Sequence, residues 1–285
     1  MRKIAFFFLF FLLISTSENY SQINSGADKD SEPFSIEINL WKPLVFGGFV
    51  QVREWSYMGT KYFLNETLGL NSLESVDFTF SFPVASNHKL SLTLGRYFFQ
   101  GEQVLFKNGY FNGTELKANT VASIDASRYV RIMLLDNMTL SKTNDEILQL
   151  VFGISIDAIR FYINAPFTED TPRKETFEGF DKQVVPVPII GLSWNKSLGN
   201  ETVLKTFLRG GTWPGLDTWY QEEGTIRLWQ YNLEADAGIT KKFGSIESEL
   251  NFAYRLIYIK GESREDTNEI LIHGFGPELT LSYIF

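Results

Sequence analysis

The chain contains no cysteine and only two histidines in 285 residues. Without cysteine it has no disulfide framework, no thiol nucleophile, no thiolate metal site and no lipidated N-terminal cysteine. The two histidines leave few candidates for the general base that most hydrolytic sites need. These absences predict a chain held together by its backbone hydrogen bonds and packing alone, with no metal and no cofactor.

Long hydrophobic runs are also rare, since only residues 4–14 form one, directly after the basic Arg2 and Lys3. This run is shorter than the roughly 20 residues that a membrane-spanning helix needs. Small residues follow it, which is typical of a secretory signal peptide with cleavage after Ser17 or Ser21. The alternative is an uncleaved anchor. No later segment has the pattern of a transmembrane helix, so membrane insertion of the mature chain requires a closed sheet.

The composition adds two constraints. The formal net charge is -8, and loss of the basic N-terminus would make the mature chain more acidic, which argues against nucleic acid as a partner. Aromatic residues make up 15% of the chain and recur at the ends of the predicted strands. Aromatic belts at the two membrane interfaces would explain this recurrence.

The main pattern is an alternation of apolar with polar or small residues, which predicts β-strands. In residues 76–82 valine and phenylalanine alternate with Asp77, Thr79 and Ser81. About ten segments show this pattern, and several are longer than the strands usual in soluble proteins. They are residues 34–41, 76–82, 90–95, 121–135, 148–157, 190–195, 203–211, 225–240, 246–260 and 269–285.

The connections between these strands alternate in length. The short ones are residues 85–88, 141–145, 196–200 and 241–244, and the long ones are 42–74, 100–119, 164–184, 212–224 and 261–268. Short turns on one side and long loops on the other are typical of an outer-membrane barrel with both termini on the periplasmic side. Residues 44–55 either extend the first strand past Pro43 or form an extra hairpin. The sequence therefore predicts an all-β fold, a single antiparallel transmembrane barrel of about ten strands, with 8 to 12 possible.

The last strand carries Leu279, Leu281, Tyr283 and Phe285 on one face. A transmembrane barrel needs such a lipid-facing stripe on the strand that closes the sheet. The pattern resembles the C-terminal insertion signal of bacterial outer-membrane β-barrels, in which a terminal Phe follows apolar residues at every second position. The competing interpretation is a soluble secreted β-sandwich that binds a partner.

Several short motifs occur in the first half of the mature chain. They are Leu40-Trp41-Lys42-Pro43, Leu68-Gly69-Leu70, the alternating residues 76–98, Phe111-Asn112-Gly113-Thr114 and Ser123-Ile124-Asp125. With the C-terminal stripe, these motifs resemble an uncharacterised family of small bacterial outer-membrane β-barrel proteins. The resemblance implies the fold and a location in the outer membrane of a Gram-negative cell, but it brings no functional residues.

Together, these patterns assign residues 1–21 to the signal peptide, 22–33 to a short periplasmic segment and 34–285 to the barrel. The expected location is the bacterial outer membrane. The expected partners are outer-membrane lipids and the barrel-assembly machinery, with no nucleic acid.

The strand faces opposite the apolar stripes are expected to line the lumen. They carry Asp77, Asp125, Arg131, Asp157, Glu234, Asp236, Glu247, Glu249, Arg255 and Glu278. In a small barrel such residues form a plug of mutually paired side chains, because little space is left between them. In a slightly wider barrel the same acidic excess would favour a narrow cation path. The predicted function is thus a narrow channel or a structural, surface-contact barrel.

An enzyme acting on lipid A, phospholipid or protein is the alternative. His88 falls in a predicted periplasmic turn, and His273 falls in the phase of Leu271 and Phe275 on the lipid side. Neither has a neighbouring serine that would complete a hydrolase pair. The loops contain Asp170, Asp181 and Asp217 without an ordered motif. We therefore expect no enzymatic activity.

Overall fold

The computed structural model describes residues 34–53, 59–125, 127–165, 185–217, 227–262 and 266–285. The predicted signal peptide and the segment after it lie outside the described residues. No helix in these ranges is long and apolar enough to cross a membrane. The described strands are β1 Ser35–Trp41, β2 Val45–Arg53, β3 Tyr62–Phe63, β4 Leu70–Ala85, β5 His88–Val104, β6 Gly109–Phe111, β7 Thr114–Leu116, β8 Val121–Ser123, β9 Arg128–Lys142, β10 Glu146–Arg160, β11 Pro186–Gly199, β12 Thr202–Asp217, β13 Arg227–Phe243, β14 Ile246–Glu262 and β15 Thr267–Ile284.

Ten of these strands form a closed antiparallel barrel. The order around the wall is β1, β4, β5, β9, β10, β11, β12, β13, β14 and β15, and β15 pairs with β1 to close it. The nine long strands have 14 to 18 residues, more than the roughly 9–11 that a tilted transmembrane strand needs, and the pairing of β1 with β15 closes the sheet. The predicted single antiparallel barrel of about ten strands is confirmed.

Strand β2 continues the line of β1 along β15, so the residues after Pro43 extend the first strand and do not add a hairpin to the wall. The join is a bulge. Lys42 N donates to Pro277 O at 3.1 Å, and Leu44 N donates to Phe275 O at 2.9 Å. Gly276 permits this close crossing, because a Cβ there would lie 2.5 Å from Cα of Pro43.

The two ends of the barrel differ as predicted. Short turns join β4 to β5, β9 to β10, β11 to β12 and β13 to β14, and we call this the inner end. Asn200 and Gly244 take positive φ values of 50° and 63° in two of these turns. Phe285 N donates to Phe34 O at 3.0 Å, so both ends of the barrel sequence also lie here. The described parts of the long connections lie at the opposite, outer end.

The outward face of the wall is apolar and exposed. Phe78, Leu94 and Ile132 expose 44%, 43% and 40% of their surface. Aromatic rings cluster at both borders of this surface. At the inner end Phe34 and Phe285 lie 4.9 Å apart between ring centroids, and nearer the outer end Tyr231 and Tyr258 lie 5.6 Å apart. An apolar band with aromatic borders is the surface that a bilayer covers.

Candidate functional site

Six ionisable side chains cross the middle of the lumen, and we call them the lumen ion network. Its members are Asp77, Arg131, Arg209, Glu234, Arg255 and Glu278. Three arginines meet three carboxylates, so the formal charges balance. Each residue occupies a strand position that alternates with the exposed apolar residues, which directs its side chain inward. None exposes more than 16% of its side chain.

Arg255 on β14 is the most highly connected member. Its Nη1 donates to Asp77 Oδ2 at 2.9 Å and to Tyr97 Oη at 3.1 Å, and its Nη2 donates to Glu278. The guanidinium carbon also lies 4.9 Å from the ring centroid of Trp41. Cation–π contact and charge-assisted hydrogen bonds together compensate for burying this cation.

Arg131 on β9 connects the two halves of the network. Its Nη1 donates to Glu234, and its Nη2 lies 3.7 Å from Asp77 Oδ2. Arg209 on β12 donates from Nε to the other oxygen of Glu234 at 2.8 Å. Gly95 provides room for this arrangement, because a Cβ there would lie only 2.2 Å from Oδ1 of Asp77.

Asp157 forms a second polar centre beside the network. It accepts hydrogen bonds from Tyr129 Oη, from Ser155 Oγ at 3.0 Å, from Gln230 Nε2 at 2.6 Å and from Asn232 Nδ2 at 2.8 Å. The contacts come from neutral donors on three strands. They stabilise the buried carboxyl group, with which no cation of the described residues pairs directly.

These contacts run across the lumen and not along the wall. Arg255 on β14 reaches Asp77 on β4, although β15 and β1 lie between these strands. Arg131 on β9 reaches Glu234 on β13, with three strands between them. The lumen ion network therefore ties opposite sides of the barrel together and occupies the space between them.

A small cavity of about 10 Å³ adjoins the network. This is about the smallest space that holds one water molecule. The cavity is lined by Arg131, Met133, Ser155, Ile189, Arg209, Gly210, Asn232 and Glu234. Arg131, whose buried Nε has no hydrogen-bond partner among the described residues, is a natural partner for such a water.

The outer half of the lumen is mostly apolar, although Gln230 and Asn232 on β13 also face into it. Inward-facing Ile257, Ile259, Ile270 and Ile272 on β14 and β15 belong to one buried cluster together with residues of the long connections. The connection residues in this cluster include Tyr62, Leu64, Leu68, Leu105, Phe111, Leu116, Ile124, Phe161 and Ile163. Segments between strands thus fold into the mouth of the barrel and fill it, which removes their apolar side chains from water.

The inner half is polar. Thr79 and Thr93 share a hydrogen bond of 2.9 Å, and Ser81 and Ser91 share one of 2.8 Å. Farther round the wall, Lys205 donates to Glu249 at 2.8 Å, and Glu247 lies 3.8 Å from the same ammonium. These side chains are more exposed, with 29% for Lys205 and 23% for Glu247. Water reaches this half from the inner end.

Comparison with known proteins identifies the fold but no relative by sequence. No family model and no curated protein matches the chain. The outer-membrane protease OmpT from Escherichia coli superposes with a TM-score of 0.51 at 10% identity, covering 90% of this chain and 97% of that chain. The chain has the fold of an outer-membrane β-barrel.

Two further solved structures of outer-membrane barrels match at lower similarity. The translocator domain of autotransporter NalP from Neisseria meningitidis gives a TM-score of 0.38 at 11% identity, covering 96% of each chain. A FadL homologue from Pseudomonas aeruginosa gives 0.36 at 9% identity, covering 90% of this chain and 91% of that chain.

The barrel places most of the predicted lumen residues on its inward face. They are Asp77, Arg131, Asp157, Glu234, Asp236, Glu247, Glu249, Arg255 and Glu278. Only some of them meet in the middle of the lumen. Glu247 and Glu249 lie in the inner half with Lys205, and Asp236 lies between the two groups along β13.

Asp125 does not line the lumen. The predicted strand 121–135 is interrupted, because Ser127 N donates to Ile124 O at 2.9 Å and closes a turn between β8 and β9. Asp125 is exposed in this turn at the outer end, where its Oδ1 accepts a hydrogen bond of 2.9 Å from Gly101 N. The alternation pattern continued through the turn by chance, so the sequence did not reveal the break.

Five residues that contribute to this region were not predicted from the sequence. They are Arg209, Tyr97, Tyr129, Gln230 and Asn232. Gln230 and Asn232 share the phase of Glu234 on β13, so extending the alternation toward the outer end would have found them. Arg209 follows Lys205 in the same phase of β12, but apolar Phe207 lies between them on that face and hides the pattern.

The histidines lie away from the lumen. His88 Nδ1 lies 2.8 Å from Asp136 Oδ2, in the outward phase at the inner end. His273 also faces outward. Its side chain packs beside Gly47, since a Cβ built on Gly47 would lie 3.3 Å from His273 Nε2 and also 3.3 Å from Asn65 Oδ1. Within the described ranges, no group of three or more His, Cys, Asp or Glu is placed to hold a metal ion. Asp170 and Asp181 lie outside the described residues.

The C-terminal stripe faces outward. Leu279, Leu281, Tyr283 and Phe285 expose 40%, 47%, 48% and 67% of their surface on β15 and directly after it. This is the lipid-facing position that the sequence predicts for them. Their role as an insertion signal stays a prediction, and deletion of Phe285 tests it through the yield of folded protein in membranes.

Proposed function

We propose that the protein is a non-conducting barrel of the Gram-negative outer membrane, with a structural or surface-contact role. The observation that carries this proposal is the lumen ion network, which joins opposite walls at mid-height. A cation path needs carboxylates that face water. Here Asp77, Glu234 and Glu278 are each engaged by arginine and expose 9% or less of their side chains.

The filled mouth supports the same proposal. Leu64 and Leu68 from the connection before β4 are fully buried, as is Ile124 from the connection before β9. For ions to pass, these segments would have to leave the lumen, and a gap would have to open in the lumen ion network. The connections at the outer end are then the surface available for contact with other molecules.

Single-channel recording in planar bilayers tests this proposal. The purified protein, folded as judged by heat-modifiable gel migration, should produce no conductance steps under conditions in which a known porin conducts. The heat-unfolded sample is the second control. Reproducible cation-selective steps from the folded protein alone would overturn the closed-lumen proposal in favour of a narrow channel.

Location is tested separately by fractionation of cells that express the full chain. The protein should sediment with outer membranes, resist salt extraction and require detergent for release. Recovery in the soluble periplasm without detergent would contradict the outer-membrane location. The barrel-assembly machinery is the expected insertion partner, so depletion of that machinery should lower the folded amount.

We also propose that the protein is not an enzyme, although OmpT is an outer-membrane protease. The outward positions of His88 and His273 support this proposal, since no described nucleophile accompanies either of them. Release of acyl chains from lipid A and phospholipid, and cleavage of casein, should equal the background of a mock preparation. Activity that disappears in His273→Ala or His88→Ala would contradict the proposal.

A further inference from the structure

A polar residue lies within the apolar outer face, near the outer border of that face. His273 projects outward from β15 between Leu271 and Phe275. Its partner on the neighbouring strand is Gly47 of β2, which has no side chain to cover it. Among the described residues, no hydrogen bond or ion pair holds the imidazole. A polar group that faces lipid without a partner is destabilising, which makes this position a candidate for a binding site.

The depth of His273 follows from the register of the strands. A row of mostly aromatic outward residues crosses five neighbouring strands on its outer side, namely Tyr231, Tyr258, Leu271, Phe49 and Phe63. Charged side chains border this row. Tyr258 Oη donates to Glu269 at 2.9 Å, and Lys61 Nζ lies 3.3 Å from the centroid of the Phe49 ring. Such a row lies at the interface between lipid headgroups and hydrocarbon.

His273 lies one row farther into the hydrocarbon. It is in register with Leu256 on one side and with Gly47 on the other. The next outward row contains Phe275 and Val45, which expose 46% and 65% of their surface. Successive outward rows are about 7 Å apart along a strand, and the strand tilt reduces this to roughly 5 Å across the bilayer. The imidazole therefore faces the first few carbons of the acyl chains.

A second polar side chain borders the same position. The connection before β4 brings Asn65 to the outer face, and its Nδ2 donates to Leu70 O at 3.5 Å, which leaves Oδ1 as the free acceptor. A Cβ built on Gly47 would lie 3.3 Å from Asn65 Oδ1 and 3.3 Å from His273 Nε2. Both atoms therefore border the open position that a side chain at residue 47 would occupy. We call Gly47, Asn65 and His273 the lipid-facing notch.

We propose that the lipid-facing notch binds a hydroxyl group carried near the headgroup end of an acyl chain in the outer leaflet. A hydroxyl can donate to Asn65 Oδ1 and accept from His273 Nε2–H at the same time. A phosphate or an ester carbonyl only accepts, so it would leave Asn65 Oδ1 without a donor. Both bonds gain strength in hydrocarbon, where water does not compete. This inference rests on the proposed location in the outer membrane, with the long connections facing outward.

NMR of the histidine side chains tests the notch, because the chain has only two histidines. Protein with isotope-labelled histidine is studied in micelles of lauryldimethylamine oxide, a detergent without hydroxyl groups. The probe is the methyl ester of β-hydroxymyristic acid, and methyl myristate is the control, since it lacks only the hydroxyl. The His273 signal should shift saturably, with roughly tenfold or more tighter binding of the hydroxy ester, because two hydrogen bonds distinguish the esters. The His88 signal should not shift.

Two variants alter the notch and keep the observed imidazole. Gly47→Ala places a methyl group in the open position, and its backbone accepts alanine because its φ is not positive. This variant should bind the two esters about equally. Asn65→Leu removes one hydrogen bond and should lose roughly fivefold of the preference. His88→Gln is the matched control, since it removes the other outward histidine and should keep the full preference. Heat-modifiable migration checks that all three variants are folded.

Equal binding of the two esters by the wild type would overturn the proposal, as would an undiminished preference in both notch variants. The methyl ester of ω-hydroxymyristic acid carries its hydroxyl at the far end of the chain. Binding of this ester as tight as that of the β-hydroxy ester would overturn the assignment to the headgroup end. An equal shift of the His273 signal by butanol at the same concentration would overturn the lipid assignment, since the site would then take any small alcohol.

Failure of this inference is distinguishable from failure of the proposed function. The titration is made in micelles and does not depend on conductance or cellular location. A protein that fractionates with outer membranes and does not conduct, but shows no preference for the hydroxy ester, would leave the proposed function intact and refute the notch as a hydroxyl site. A conducting protein that keeps the preference would refute only the closed lumen.

Discussion

The two halves of the lumen are built from the same strands but filled in different ways. Along β14, the inward positions change from Glu247 and Glu249 at the inner end, through Arg255 in the middle, to Ile257 and Ile259 at the outer end. The inner half is a partly hydrated polar surface, whereas the outer half is a small hydrophobic core. The inward face of a barrel strand is therefore not always polar. Its chemistry depends on whether water or protein fills the adjacent space.

The lumen ion network lies where these two environments meet. Along the inward face of β14, Arg255 is followed by Ile257 toward the outer end, and it is preceded by Ala253 and then Asn251 toward the inner end. Buried charges are tolerated only with compensating partners, and each arginine has at least one carboxylate. We infer that the network seals the boundary, so its loss should cost more than a change in either half.

The largest effect is expected from Arg255→Met. The substitution leaves the carboxylates of Asp77 and Glu278 buried without their shared cation, which costs about 3–5 kcal/mol of unfolding free energy. Urea unfolding in lipid vesicles, followed by tryptophan fluorescence, measures this loss. Lys205→Met is the control from the inner half, where the ion pair is partly exposed and contributes about 1 kcal/mol or less. Equal losses in the two variants would remove the distinction between the network and the polar half.

Leu68→Ala tests the apolar half. Leu68 is fully buried in the filled mouth, and its truncation leaves a cavity that costs about 2–5 kcal/mol, near the lower end if the connection can collapse. The same urea experiment measures the change. Leu44→Ala is a control of identical chemistry at a position that is 71% exposed, where lipid and not a cavity replaces the lost methyl groups, so its cost should be the smaller of the two. A large loss at Leu44 with none at Leu68 would show that the connection does not pack in the lumen.

The smallest effect is expected from Ser81→Ala in the inner half. It removes one partner of the 2.8 Å hydrogen bond to Ser91 and should cost about 0.5–1.5 kcal/mol. The double variant Ser81→Ala/Ser91→Ala should cost less than the sum of the two single changes, because it leaves no unpaired hydroxyl. Strict additivity in this double-mutant cycle would argue against the hydrogen bond.

Much of the wall was predictable from the sequence, because a barrel strand must present one face to lipid. That requirement produced the apolar–polar alternation from which β4 and β15 were predicted. The alternating lengths of the connections predicted that short turns lie at one end of the barrel and long loops at the other. The strands are nevertheless longer than predicted. Strand β4 begins at Leu70 and not at Val76, since residues 70–75 lie above the apolar band and lack its clear alternation.

The pairing inside the lumen was less predictable. Which carboxylate Arg131 meets depends on strands that are close only after closure, and the contact with Glu234 spans 103 positions in the chain. The folding of the connections into the lumen was not predicted either. Apolar residues such as Leu64 and Leu105 are not regularly spaced, so the sequence does not show whether their segment packs inside the barrel or is exposed. The turn at Asp125 was missed for a similar local reason, since its residues continued the strand pattern.

Cysteine accessibility tests the closed lumen most directly, and the chain suits this method because it has no native cysteine. Glu247→Cys places a thiol in the inner half, and Lys107→Cys places one in an exposed outer connection. Both are inserted into vesicles with the outer end outside, as verified by external protease, and treated with a small charged thiosulfonate reagent.

With reagent outside, a closed lumen predicts rapid modification at position 107 and none at position 247. With reagent trapped inside, position 247 should react, which shows that its thiol is reactive. Modification of Glu247→Cys from the outside at a rate comparable to that of Lys107→Cys would mean that water and small cations pass the lumen ion network, and would contradict the closed barrel.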